Sequence, residues 1–130
     1  MAGYSGKPLY QKLGLKPGMR CRPVTPPMPY TALVEGAEAV SYPRKGEVDL
    51  VHLFCRNRAE LEAGIEAALA DVAEGGMLWV SWPKKSSKLF IDLTEDDLRT
   101  VILPTGWVDV KVCAVDADWS GLKFLKRKAR

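Results

Sequence analysis

The sequence predicts an α/β domain built on a mostly parallel β-sheet, and three features of one continuous stretch carry that prediction. Val48-Asp-Leu-Val-His-Leu-Phe54 is a short apolar run with β-branched and aromatic residues, too continuous for a half-exposed strand. Leu61, Ile65, Ala68, Leu69 and Val72 then recur at helical spacing, with Glu60, Glu62, Glu66 and Asp71 filling the other side, as in a helix with one buried face. Met77-Leu-Trp-Val-Ser-Trp82 follows as a second buried run, and Pro83 cannot continue a central strand. Strand, helix and strand in that order form a right-handed crossover between parallel neighbours. Asn57 stands three residues before Glu60, the spacing of a reciprocal capping box, and Gly75-Gly76 is placed to end the helix in a left-handed cap.

The flanking segments extend this unit. Pro8 to Leu13 suits one or two helical turns leaving at Gly14, and Lys16-Pro-Gly18 turns the chain into a first strand, Met19 to Val24. Thr25-Pro-Pro-Met-Pro29 comes next. Its three prolines remove three backbone donors, so this loop cannot cradle a phosphate or carboxylate with amides in the usual way. Tyr30 to Glu35 is expected to be a short helix between Pro29 and Gly36, and Ala37 to Tyr42 a second, short strand. Past the crossover, Lys84-Lys-Ser-Ser87 opens a polar loop. Thr94 caps another helix whose first turn carries Glu95, Asp96 and Asp97, where the helix dipole favours negative charge. Leu98, Val101 and Ile102 form its apolar face, and Pro104-Thr-Gly106 stops it. Val108, Val110, Val112 and Ala114 alternate with Asp109, Lys111 and Cys113 as in a strand near a sheet edge. Asp116 to Gly121 reads as a turn, Leu122 to Arg127 as a returning antiparallel strand, and Lys126 to Arg130 as a frayed basic tail.

Composition limits the function classes. The 130 residues, 47% of them hydrophobic, suit one domain over residues 1–130 that buries roughly two thirds of its unfolded surface. Met1 to Lys7 lacks the apolar core of a secretory signal, and no run approaches the ~18 apolar residues of a membrane helix. Cys21, Cys55 and Cys113 are an odd, widely spaced set beside predicted strands, as expected for reduced thiols in a cytoplasmic protein, and they show no metal spacing. The net charge of +3 implies weak attraction to anions and argues against a nucleic-acid partner.

The order strand, helix, strand, then helix and terminal hairpin resembles a shortened class I S-adenosylmethionine-dependent methyltransferase fold, with Val48 to Val51, Gly75 to Trp79 and Trp107 to Arg127 resembling its later strands. The segments Gly3 to Leu9, Leu78 to Ser87, Asp92 to Asp96, Val108 to Cys113 and Trp119 to Lys123 resemble a family of small bacterial proteins known as a domain of unknown function, across nearly the whole chain. The resemblance implies a single-domain, three-layer, Rossmann-like sheet of about six strands in the order 2-1-3-4-6-5, the last strand antiparallel. In the methyltransferases the first loop is G-x-G-x-G and the second strand ends in an acidic residue that holds the ribose. Here those places hold Thr25 to Pro29 and Ser41-Tyr42-Pro43, so no cofactor is expected.

Ligands of an open parallel sheet bind beyond the carboxyl ends of its strands. The sequence puts Thr25, Pro26, Pro27, Arg56, Arg58, Lys84, Lys85, Ser86, Ser87, Asp116, Asp118 and Trp119 on that rim. Lys84, Lys85, Ser86 and Ser87 combine cations with hydroxyl donors, a composition for phosphate or carboxylate, unless a lysine pairs with Asp116 or Asp118 and merely fixes the loop. Arg56, Asp116 and Trp119 complete the candidate ligand-binding set. His52 reads as a hydrogen-bonded core imidazole and Cys55 as an unreactive thiol. Trp79 and Trp107 read as core, and Trp119 either closes the hairpin or offers a contact. No catalytic or metal-binding constellation stands out. The expected function is a non-catalytic binding domain taking a protein partner or a small anion, with a homodimer formed through a sheet edge or helix face. The alternative is an enzyme acting on a phosphorylated or acidic small molecule held by Lys84, Lys85 and Ser86.

Overall fold

Buried apolar strands bracket the crossover as the sequence requires. In the computed structural model, which describes residues 7–127, β2 (Val48–Phe54) and β3 (Val72–Pro83) are parallel neighbours joined by α3 (Arg58–Ala70). Before them come α1 (Leu9–Leu13), β1 (Cys21–Val24) and α2 (Tyr30–Leu33). After them come α4 (Glu95–Ile102), β4 (Trp107–Ala114) and β5 (Trp119–Lys126). The sheet has 5 strands in the order β1-β2-β3-β5-β4, with β5 antiparallel to both neighbours.

Strand alternation divides the core into two halves, one on each face. Val51, Leu53, Leu78, Val80, Leu122 and Phe124 meet Leu61 and Ile65 of α3 and Leu98 and Ile102 of α4. Leu50, Phe54, Trp79 and Trp119 meet Leu13 of α1 and Tyr30 of α2 on the other face. Helices over both faces make three layers. Thr94 and Asp97 form the capping box that starts α4. Arg99, within α4, then bonds Asp109 of β4 at 3.0 Å and also pairs with Glu95 and Asp96.

Several expectations are corrected. The expected second strand, Ala37 to Tyr42, shrinks to one bridge between Ser41 and Arg20, because Ala39 turns left-handed at φ 55 and breaks the extended run, leaving five strands where about six were expected. Gly75-Gly76 does not cap α3, which ends at Ala70. Val72 already pairs with Val48, and the glycines form an irregularity inside β3. Gly76 is required there, since a Cβ would stand 2.7 Å from the Asp49 carbonyl. Asn57 does cap α3, but Glu60 reaches past it to the Arg56 amide at 2.8 Å, so the box is not reciprocal. A register shift between Asp109 and Lys111 moves Val108 to the face opposite Val112, so the valines do not share a side. The last turn is shorter than expected, with Trp119, Ser120 and Gly121 already in β5, and Lys126 is in that strand rather than in a frayed tail. Residues 128–130 of the tail and residues 1–6 lie outside the described residues.

Candidate functional site

The carboxyl ends of β1, β2 and β3 lie at one end of the sheet, and Pro83 pairs with Trp119, so the β4–β5 turn joins them there. Thr25 leaves β1 with φ 51, an uncommon conformation for a β-branched residue. Its hydroxyl lies 2.9 Å from the Phe54 carbonyl and 2.8 Å from that of Val24, which fixes the turn against β2. Between Thr25 and Pro29 only Thr25 and Met28 carry an amide hydrogen.

The polar loop after β3 is tied to the hairpin turn through its backbone and Ser87. The Lys84 amide donates to the Asp118 carbonyl at 2.8 Å, Ser87 Oγ donates to Asp118 Oδ1 at 2.9 Å, and the Leu89 amide donates back to Ser87 Oγ at 3.0 Å. Asp116 Oδ1 accepts the Asp118 and Trp119 amides, both at 2.8 Å, and shapes the turn. Among the described residues no ion pair joins Lys84 or Lys85 to a carboxylate, and the side chains of Lys85 and Ser86 are exposed. Arg56 also lies on this rim, but its guanidinium is paired with Glu60 at 2.7 Å, which holds the Glu60 carboxyl below its usual range. Arg58 binds Glu62 and Asp97. Trp119 is only 3% exposed and meets Phe54 edge to face at 5.6 Å, so it supports the rim from below. The structure therefore brings Lys84 to Ser87 together with Asp116 and Asp118, while Arg56 and Trp119 are engaged elsewhere.

Beneath the proline loop lies a polar chain that sequence reading missed. Tyr30 Oη is 2.8 Å from His52 Nδ1, and His52 Nε2 is 2.6 Å from Ser81 Oγ, with Cys21 against Tyr30. His52 is fully buried and stacks on Phe54 at 4.2 Å, and burial lowers its pKa to about 3. A neutral imidazole donates through one nitrogen and accepts through the other, so both neighbouring hydroxyls are satisfied without a charge. The available signal was a lone serine in the apolar run of β3, two residues before its end, beside a histidine in the adjacent strand. Burial also pushes the Cys55 thiol up to about 12, far from a thiolate at neutral pH. Among the described residues no group of three or more His, Cys, Asp or Glu side chains could hold a metal ion, and no helix is long and apolar enough to cross a membrane.

Among solved structures the chain is similar to a ribosomal protein L11 methylase from Lactobacillus delbrueckii subsp. bulgaricus, with TM-score 0.62 and 11% identity over 91% of this chain and 74% of that one. It is also similar to a SAM-dependent methyltransferase from Aquifex aeolicus, with TM-score 0.60 and 15% identity over 89% and 86% of the two chains. The fold is methyltransferase-like. A third neighbour, magnesium protoporphyrin IX methyltransferase from Synechocystis PCC 6803 with bound SAM, gives TM-score 0.58 and 12% identity over 92% and 74%. No family model and no curated protein matches the sequence. In this methyltransferase-like sheet, the loop after β1 and the Ser41-Tyr42-Pro43 segment do not fit an adenosyl cofactor gripped by loop amides and a strand-end carboxylate. The first offers two amides across five residues, and the second offers no acid.

Proposed function

We propose that the chain is a non-catalytic, methyltransferase-like binding module, akin to the small bacterial domain-of-unknown-function proteins whose segments it resembles. One observation carries this reading: Pro26, Pro27 and Pro29 leave the loop after β1 without the amide hydrogens that would grasp the cofactor, while Thr25 locks that loop against β2. The ligand is a small anion or an acidic surface of a protein partner, met by Lys84, Lys85 and Ser86, on a loop made rigid by Ser87, Asp116 and Asp118. The module works in the cytoplasm as a homodimer. Thermal-shift titration tests the reading. Inorganic phosphate at millimolar concentration raises the melting temperature, and the Lys84→Gln/Lys85→Gln pair abolishes that rise. S-adenosylmethionine and its demethylated product leave it unchanged. A shift of several degrees with either adenosyl compound at micromolar concentration defeats the proposal.

A further inference from the structure

The ion pairs at Asp49, Asp71, Glu60, Glu62, Asp97, Glu95, Asp96 and Asp109 all use an arginine, namely Arg20, Arg22, Arg56, Arg58 or Arg99. Lys12, Lys16, Lys111 and Lys123 take no part in them and converge on the α1 face of the sheet. Lys111 and Lys123 are direct cross-strand partners in β4 and β5. Lys16, just past α1, is near enough to act on the charge of Lys123, and Lys12, in the last turn of α1, acts with Lys111 on Cys113. None of these four has an ion-pair partner among the described residues. Residues 7–20 and β5 contain no Asp or Glu, and the one acid of β4, Asp109, bonds Arg99 of α4 on the other face.

Like charges set directly opposite in a sheet destabilise it unless an anion compensates them. We propose that this face binds the phosphodiester backbone of a nucleic acid without reading its sequence. The ammonium groups come from three segments spread over a sheet face, which matches a row of phosphates better than one enclosed anion. Lysine, a compact and strongly hydrated charge, positions a backbone without selecting bases. A net charge of +3 understates this local field, because residues 7–20 and β5 hold none of the chain's 16 acidic residues. The site is separate from the rim at the strand ends.

Fluorescence anisotropy with a short labelled DNA duplex tests the proposal. Wild type binds at low salt, and the Lys111→Gln/Lys123→Gln pair binds at least about tenfold more weakly, with its slope of log affinity against log salt reduced by about 1.8. The charge-matched Lys45→Gln/Lys126→Gln pair, away from this face, retains wild-type binding. Circular dichroism melting separates binding from folding, since removing the like-charge pair leaves the melting temperature unchanged or higher. The proposal is overturned by a duplex that does not bind at low salt, by equal losses in both variants, or by binding to phosphatidylglycerol vesicles in place of the duplex.

Discussion

His52 shows how one buried residue sets a pH dependence. Its ring titrates near 6.5 in an unfolded chain and at about 3 in the fold. Below the unfolded value, the unfolded state takes up a proton that the native state refuses, so stability falls as pH drops from about 6.5 toward 3. Between pH 7.5 and 5 this amounts to a loss of about 2 kcal/mol. Urea midpoints for His52→Gln should show a less stable protein at pH 7.5 whose further loss on going to pH 5 is smaller by that amount. An unchanged loss in the variant would assign the acid sensitivity to other groups. The role of His52 as a core imidazole was legible, because it sits mid-run among apolar neighbours. Its partners were not, since Tyr30 lies 22 residues away and Ser81 29 residues away, and only the packing of α2 on the sheet and the parallel register of β2 and β3 bring them together.

At the scale of elements, helix starts and buried strands were legible because their signals are local: Thr94 with Asp97, Asn57 before α3, and the apolar runs of β2 and β3. The misreadings share a cause in non-local geometry. Gly75-Gly76 has the composition of a helix cap, yet it serves the close passage of β3 over the Asp49 carbonyl. Gly76→Ala should therefore cost about 2 to 4 kcal/mol, whereas Gly75→Ala, with open space around it and φ 79, should cost only about 1 kcal/mol. Chemical denaturation of both variants checks the ranking. Trp119 reads as a turn residue because its neighbours are polar, but it already pairs with Pro83 in β5; its ring packs onto Phe54, the first of the two roles expected of it. The loop after β1 makes a separate prediction. Thr25→Ala loses the hydrogen bond to Phe54 and keeps the left-handed strain, while Thr25→Gly loses the bond and relieves the strain. The alanine variant should be less stable than the glycine variant by about 1 kcal/mol in the same denaturation experiment.

Across the whole molecule, the fold class was legible from one crossover and one terminal hairpin, whereas the strand order was expected only from the resemblance to the methyltransferases. The order β1-β2-β3-β5-β4, with Ser41 bridged beside β1, preserves the expected arrangement with its outermost strand reduced to a single bridge. The rim was legible only as a set of loops. That Ser87 rather than a lysine would meet Asp118 depended on how the hairpin turn docks, which composition does not encode. The proline loop is different, because what it lacks is covalent and holds in any conformation. Heteronuclear NMR of the labelled protein, titrated with S-adenosylmethionine to millimolar concentration, follows the two amides that this loop retains, Thr25 and Met28. Both resonances, and that of Tyr42, are expected to stay in place throughout. Saturable movement of Thr25 and Met28 at micromolar cofactor would show that the loop grips an adenosyl group after all.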